Sequence, residues 1–293
     1  MHIPDGFLSV PVWSTLDVAA IPAVAWAAKQ AQADLEADEG TGEIAIARRI
    51  PLLGVMGAFV FGAQMINFPV GLGTSGHLVG GALLAIALGP ATAATVMTAV
   101  LILQAFIFQD GGVMALGANI LNMGIAGVLA GYLPYRLWGR GRTRQASIFL
   151  SGFVSVALSG CLALAELNGS GVPMSQRLIL ISGVLFLLNG LIEGAITVAA
   201  VRAIERLNSG WVRTPKPFGP RSVFIATGAL GVLVLVGTLL ASRAPDALEA
   251  ALSLQGETHS MWLRKALLGL TGMVILYAGL VLVGRKAARQ RSA

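Results

Sequence analysis

Charged residues are scarce in this 293-residue sequence: 12% of the residues are charged, whereas 56% are hydrophobic. Soluble domains carry about 25% charged residues. Several apolar runs also approach the roughly 20 residues that a helix needs to cross a bilayer. The composition therefore excludes an ordinary soluble domain and indicates an integral membrane protein.

Cysteine and histidine are also rare. The single cysteine, Cys161, excludes an intramolecular disulfide, and the only histidines are His2, His77 and His259. The sequence lacks the His-Glu-x-x-His of metalloproteases, the phosphate-binding Gly-x-x-x-x-Gly-Lys-[Ser/Thr] and the Gly-x-Ser-x-Gly of serine hydrolases. These absences argue against an enzyme, and we expect the energy for any uphill transport to come from another polypeptide.

The net charge of +6 raises the question of a nucleic-acid partner. No basic face is interleaved with aromatic residues, which argues against one. Of the 20 basic residues, 16 instead cluster in the segments 29–49, 136–144, 202–221 and 285–291, between apolar runs. Because cytoplasmic loops carry the excess of Lys and Arg, we predict a multi-pass protein of the cell (inner) membrane with its N-terminus outside and its C-terminus in the cytoplasm. No basic region precedes the first apolar run, so no signal peptide is expected.

Apolar runs alternate with polar segments along the whole chain. They predict an all-α integral membrane protein in which a bundle of seven transmembrane helices is followed by two more. The predicted spans are 12–28, 50–66, 78–88, 92–108, 113–133, 147–165 and 178–201, then 223–241 and 262–283. We expect a metal-binding domain over 1–205, a cytoplasmic linker over 206–221 and an auxiliary domain over 222–293.

The first two residues form a candidate chelate for a transition metal. We expect Met1 to be retained, because its removal generally requires a small second residue and His2 follows it. The α-amine of Met1 and the amide and imidazole nitrogens of His2 can then form fused rings around one ion. Nitrogen donors in a square plane suit Ni²⁺ or Cu²⁺. A frayed terminus is the alternative for a histidine at this position.

His77 is the candidate for a further nitrogen ligand. It lies between two apolar runs, and the predicted crossings place it on the same outer side as Met1. Ionisable side chains within a membrane are costly unless they have a task, which favours a functional role. A hydrogen-bonded histidine at the start of a helix is the alternative.

Other polar residues are candidates to orient the ligand imidazoles by hydrogen bonds. They are Asp5, Asn67, Ser75, Gln109, Asp110, Asn119 and Asn122. Capping of helices or bonding between helices is the alternative role for most of them. The roles of Glu193, within an apolar run, and of His259, in the last predicted outer loop, stay open.

Several ordered motifs resemble those of one family: Met1-His2-Ile3-Pro4-Asp5-Gly6-Phe7, Gly73-Thr74-Ser75-Gly76-His77-Leu78, Leu88-Gly89-Pro90, Gln109-Asp110-Gly111-Gly112 and Ala118-Asn119-Ile120-Leu121-Asn122-Met123-Gly124. Over about residues 1–205 the chain resembles the nickel/cobalt-specific membrane component of energy-coupling-factor importers. The resemblance implies seven transmembrane helices, an N-terminus inserted from outside and a metal held by Met1, His2 and His77. It also implies a membrane coupling subunit and two cytoplasmic ATPases as partners.

The C-terminal part resembles the small auxiliary subunit of the same systems. That subunit has two helices and a Pro-Asp-Gly-Leu-Glu motif, which here reads Pro245-Asp246-Ala247-Leu248-Glu249. Alanine replaces the glycine, which removes the residue that best tolerates a positive φ. The resemblance implies a fusion of the two subunits in one chain.

We therefore predict the substrate-binding component of an importer for Ni²⁺ or Co²⁺, with the ion as cargo and without a catalytic cofactor. Four nitrogens that include a deprotonated amide favour Ni²⁺, although family members with the same opening take cobalt. The alternatives are a metal-dependent membrane enzyme, which would need an open coordination position and a general base, and a metal-independent membrane scaffold.

Overall fold

A computed structural model describes residues 2–37, 43–65, 68–71, 74–207 and 209–213 of the chain. The two C-terminal spans predicted at 223–241 and 262–283 lie outside this part, and so does the motif at 245–249. Of the predicted metal ligands, Met1 also lies outside it, whereas His2 and His77 are described.

The described chain is mainly helical, with one small hairpin and short connecting loops. The helices are α1 (Val10–Ala37), α2 (Glu43–Gln64), α3 (Gly81–Leu88), α4 (Pro90–Leu103), α5 (Leu116–Asn119), α6 (Val128–Trp138), α7 (Arg144–Gly169) and α8 (Gln176–Leu207). The strands β1 (Phe68–Gly71) and β2 (Thr74–Gly76) pair antiparallel between α2 and α3. The all-α class expected from the apolar runs is confirmed.

Two helices contain π-helical turns that coincide with buried polar residues. One such turn, Gln104–Phe108, extends α4, and another, Ile120–Gly127, joins α5 to α6 in one continuous helix. π-helical turns are rare and often occur at functional sites. Here they carry the buried amides Gln104 and Asn122.

Five of the helical segments in the described part are long and apolar enough to cross a membrane: Val10–Glu36, Pro90–Phe108, Leu116–Trp138, Gly141–Gly169 and Gln176–Leu207. The apolar part of α2, Leu52–Gln64, is shorter. The third predicted span, 78–88, needs correction. Its helix α3 has only eight residues and is about 12 Å long, less than half of the hydrocarbon core. The residues before it, 77–80, are buried without being helical, so α3 begins inside the bundle.

Helix α3 is the centre of the core. All eight of its residues are buried, which agrees with its uniformly apolar sequence, and it contacts α4, α6, α7 and α8. By contrast, α1 and α8 each turn large apolar side chains outward, such as Ile21 at 70% exposure and Leu180 at 69%. A surface of this kind suits contact with lipid.

The chain after α8 folds back onto the inner core. Val212 is buried, the backbone N–H of Arg213 donates to the carbonyl of Ile86 in the last turn of α3 (3.2 Å), and the Tyr135 hydroxyl donates to the Arg213 carbonyl (2.9 Å). Nearby, Arg144 at the start of α7 forms an ion pair with Glu205 near the end of α8. We call this part of the bundle, with Arg136, Arg140, Arg142, Arg144 and Arg213, the basic end. It lies at the opposite end of α3 from His77.

Candidate metal centre

The N-terminal segment, residues 2–9, is fixed to the bundle through its backbone. The Ile3 N–H donates to Asn119 Oδ1 (2.8 Å), and Asn119 Nδ2 donates back to the Ile3 carbonyl (3.0 Å). The Gly112 N–H donates to the same carbonyl (2.9 Å), and the Ile3 side chain is buried. Three hydrogen bonds therefore hold the backbone N–H and carbonyl of Ile3, the residue that directly follows His2.

Two carboxylates attach α1 and the N-terminal segment to the start of α5. Asp5 accepts the N–H groups of Val113 (3.0 Å) and Met114 (2.8 Å), and Asp17 of α1 accepts the Gly117 N–H (2.7 Å). Gly117 is in the first turn of α5, where N–H groups have no partner within the helix and a carboxylate interacts favourably with the helix dipole. Val113 and Met114 lie in the loop before this turn. These bonds fix residues 2–9 against the loop 109–115.

The glycine pair of this loop makes the close approach possible. Gly111 has φ +91°, and a Cβ atom there would lie 3.2 Å from His2 Cβ. A Cβ atom at Gly112 would collide with the backbone and the carboxylate of Asp5. The Gln-Asp-Gly-Gly motif is thus explained by the passage of the N-terminal segment over it.

His2 and His77 lie side by side, although 74 positions separate them in the sequence. Their ring centroids are 5.2 Å apart and their planes differ by 10°. For metal–nitrogen bonds of about 2 Å, two imidazoles on one ion have centroids roughly 4.5 Å apart when cis and 6.4 Å apart when trans. The observed separation lies between these two values, so both rings lie within reach of one small ion.

The tautomer of His77 is set by its own loop. Its Nδ1 lies 2.9 Å from the Leu78 carbonyl oxygen, which can only accept, so Nδ1 carries the proton and the lone pair is on Nε2. Burial lowers the pKa of His77 to about 3, which keeps the ring neutral. A neutral imidazole with a lone pair on Nε2 is the form that binds metal.

Asp110 provides negative charge beside His2. One carboxylate oxygen lies 3.5 Å from His2 Nδ1, and the His2 side chain is 4% exposed. Burial tends to raise the pKa of Asp110, but its interaction with His2 lowers it to about 2. The carboxylate is therefore ionised where a cation would be favoured. On the other side of the ring, His2 Nε2 is buried and has no hydrogen-bond partner among the described residues.

The other candidates from the sequence are placed differently. Asn122 donates to Glu166 of α7 (2.7 Å), so it connects two helices. Bonding between helices was the alternative that the sequence left open for this residue. Gln109 is exposed and has φ 52°, which places it at the turn before Asp110. Asn67 lies outside the described residues, and for Ser75 only the backbone, in β2, is described.

Three polar residues of the bundle, Gln64 and Glu166, which are buried, and Asp17, which is half-buried, were not singled out from the sequence. Asp17 binds the start of α5, Gln64 of α2 donates to the Val79 carbonyl (2.6 Å), and Glu166 accepts from Asn122. Each is a polar residue in an apolar helix, which was the available signal. Their partners are not visible in the sequence, because two of the three are backbone groups.

Side chains alone do not form a metal site in the part of the chain that the structure covers. It contains no group of three or more His, Cys, Asp or Glu residues placed to hold an ion. What the described residues bring together is a pair of imidazoles, one carboxylate and the backbone around His2. A metal site built from this set would need backbone nitrogen as well as side chains. Met1, the other predicted ligand, lies outside the described part.

A family model for the cobalt uptake substrate-specific transmembrane region matches residues 2–211. A metal transport protein of Haloquadratum walsbyi is 37% identical over 200 residues, which cover 67% of this chain and 86% of that protein. A protein of Archaeoglobus fulgidus named for fused nickel transport is 34% identical over 209 residues, 70% of this chain and 65% of its own. A fused nickel transport protein of Rhodobacter capsulatus is 32% identical over 174 residues, 59% of this chain and 47% of its own. The chain thus spans less than two thirds of these two fused relatives.

Two solved structures are also similar to this chain. The crystal structure of a transition metal transporter matches with a TM-score of 0.59 and 27% sequence identity, over 71% of this chain and 94% of that one. A truncated transition metal transporter is 28% identical with the same TM-score, over 71% of this chain and 99% of that one. The matched share of the chain is close to the share that the family model covers.

Proposed function

This chain belongs to the family of cobalt uptake substrate-specific transmembrane regions, and from that membership we propose that it captures Ni²⁺ or Co²⁺ and delivers the ion across the membrane as the substrate-binding component of an importer. The observation that carries the proposal is the approach of His2 to His77 at 5.2 Å, with the backbone of Ile3 fixed beside them. The neighbouring Asp110 carboxylate adds negative charge that suits a cationic cargo.

The proposed ligands are four nitrogen atoms. They are the α-amine of Met1, the amide and the imidazole Nδ1 of His2, and Nε2 of His77. Fixing the Ile3 backbone supports this set, because holding the chain beside the His2 amide in advance lowers the entropy cost of chelation. A deprotonated amide within a nitrogen square favours Ni²⁺, and we propose nickel ahead of cobalt.

The orientation that we propose for the chain in the membrane rests on its charge distribution. The basic end carries Arg136, Arg140, Arg142, Arg144 and Arg213, and positive loops face the cytoplasm. We therefore place the basic end inside and the N-terminal segment outside, in the cell (inner) membrane. Residues 206–221 would then be cytoplasmic, and 222–293 would form the two-helix auxiliary domain.

Uphill import requires an energy source. We propose that a membrane coupling subunit and two cytoplasmic ATPases supply it, as in energy-coupling-factor systems. The relatives are named as transport proteins, which supports a transport component over the alternatives of a membrane metalloenzyme or a metal-independent scaffold.

Titration of the purified full-length chain with Ni²⁺ tests the proposed site. Wild-type protein should bind about one ion, and binding should be lost in His2→Ala, in His77→Ala and after insertion of one residue between Met1 and His2. His259→Ala is the matched control, because the proposed site does not use this histidine, and it should bind as wild type does. Wild-type affinity in all three site variants would rule out the nitrogen site.

A further inference from the structure

Glu193 of α8 is a buried carboxylate whose partners lie next to a proposed metal ligand. Its two oxygens accept the backbone N–H groups of Val79 and Gly80, both at 2.8 Å, and the residue is 1% exposed. Val79 and Gly80 form the non-helical link between His77 and the start of α3. A side chain near the middle of α8 thus holds the backbone that directly follows His77.

The same peptide is held from the opposite side. Gln64, the last residue of α2, donates from Nε2 to the Val79 carbonyl at 2.6 Å, and its own carbonyl oxygen accepts from Gln104 at 2.7 Å. Val79 therefore has its N–H bound to α8 and its carbonyl bound to α2. A shift of this residue along the membrane normal would break hydrogen bonds to two helices.

The local conformation leaves little room for adjustment. Gly80 has φ +77°, and a Cβ atom there would lie 2.6 Å from a Val60 methyl group of α2. The glycine thus lets the backbone pass close to α2 in a conformation that favours glycine. With α2 on one face and the Glu193 carboxylate on the other, the link between His77 and α3 is fixed in position.

A carboxylate suits this place for electrostatic reasons. Burial of an acidic side chain within a membrane protein is costly unless its oxygens are satisfied. Here the donors are N–H groups at the N-terminal end of α3, where the helix dipole favours a negative group. An amide in its place would offer one acceptor and would turn its NH₂ group towards the second N–H donor.

From these contacts we infer that Glu193 is a positioning residue for the metal site, because its carboxylate fixes Val79 and Gly80 and so holds the His77 imidazole at the distance from His2 that one ion requires. The inference rests on the proposed function, because one of its tests measures nickel binding at the proposed site. The placement of Val79 and Gly80 can be measured without metal.

Glu193→Gln tests the inference, and Glu166→Gln is its matched control. Glu166 is likewise buried and hydrogen-bonded, but its described partner is Asn122 and not the link after His77. In the full chain, Glu193→Gln should weaken Ni²⁺ binding about 10- to 100-fold, the range found when partners of metal ligands are removed. It should also change the absorption spectrum of the bound nickel at saturation. Glu166→Gln should retain the wild-type spectrum.

Hydrogen exchange of the metal-free protein gives an independent readout. The Val79 and Gly80 amides should exchange slowly in wild type and in Glu166→Gln, and measurably faster in Glu193→Gln. If Glu193→Gln fails to fold, Glu193→Asp keeps the charge but is too short to reach both N–H groups, and it should show the same changes to a lesser degree.

The outcomes separate the inference from the proposed function. Unchanged exchange at 79–80 together with unchanged nickel affinity in the Glu193 variants overturns the positioning role. Equal loss of affinity and of thermal stability in the Glu193 and Glu166 variants also overturns it, because both residues would then only support folding. Wild-type protein that binds no metal contradicts the proposed function and leaves the exchange experiment to decide on Glu193.

Discussion

The two ends of the bundle are held together by different chemistry. At the end with the N-terminal segment, side-chain oxygens accept hydrogen bonds from backbone N–H groups: Asp5 from Val113 and Met114, and Asn119 from Ile3. At the basic end, an ion pair of two side chains, Arg144 and Glu205, joins α7 and α8, besides the bonds to the backbone of Arg213. Acidic and amide side chains fix backbone at the first end, whereas a pair of charged side chains joins two helices at the second.

The difference corresponds to what each end is proposed to bind. A site that uses a backbone amide as a ligand gains from a fixed backbone, which bonds from Asn119 and Gly112 to Ile3 provide. The Asp110 carboxylate beside His2 also adds negative charge, which favours an incoming cation. The ion pair of Arg144 and Glu205 at the basic end neutralises charge and holds two helices together, so substitutions at the two ends should have different effects.

Asn119→Ala should have the largest effect on metal affinity among the substitutions that compare the two ends. It removes both side-chain bonds to Ile3 and leaves a buried N–H without its partner, at a cost of about 1–3 kcal/mol. If this cost appears in binding, nickel affinity falls about 5- to 100-fold, which competition against a calibrated chelator can measure. Asn119→Asp, which keeps an acceptor for the Ile3 N–H, should be intermediate. An unchanged affinity in Asn119→Ala would mean that the Ile3 backbone does not position His2.

Asp5→Ala should have a smaller effect in the same direction. The carboxylate binds two N–H groups in the loop before α5, and loss of hydrogen bonds of this kind costs about 1 kcal/mol, or roughly fivefold in affinity. Asp17→Ala is the control, because Asp17 binds Gly117 of α5 but lies in α1, outside residues 2–9. We expect it to lower the melting temperature without changing nickel affinity. Equal loss of affinity in both variants would show that α5, and not the N-terminal segment, controls the site.

Tyr135→Phe at the basic end should affect stability alone. It removes the hydrogen bond to the Arg213 carbonyl, which contributes about 0.5–1.5 kcal/mol. Because distant sites are usually additive to about 0.5 kcal/mol, nickel affinity should stay within roughly twofold of wild type. Thermal unfolding and nickel titration of the same preparation check this. A large loss of affinity would show that the two ends are coupled through α3.

Arg144→Gln should have the smallest effect. Its ion pair with Glu205 is about one quarter exposed, with side chains at 27% and 29%, and pairs of this kind contribute at most about 1 kcal/mol. The loss of stability should shrink further as salt is raised, because salt screens the pair. Chemical or thermal unfolding at low and high salt measures this, and a salt-independent loss would mean that Arg144 acts by packing, for example over the Tyr135 ring.

The sequence predicted the long helices and the histidine pair for simple reasons. Runs such as α7 and α8 are long and apolar, and with three histidines in the chain few pairings were available for His2. The sequence did not show that α3 begins inside the bundle. An apolar run has the same composition whether its helix crosses the whole membrane or begins partway through it. It did not show the partners of Glu193 or Asp17, since backbone N–H donors leave no side-chain signature.

X-ray absorption of the nickel-loaded chain tests most directly whether nitrogen atoms of His2 and His77 hold the ion together with the N-terminal backbone. We predict a square-planar edge feature and scattering from two imidazoles. A six-coordinate spectrum dominated by water or carboxylate oxygen would contradict the account.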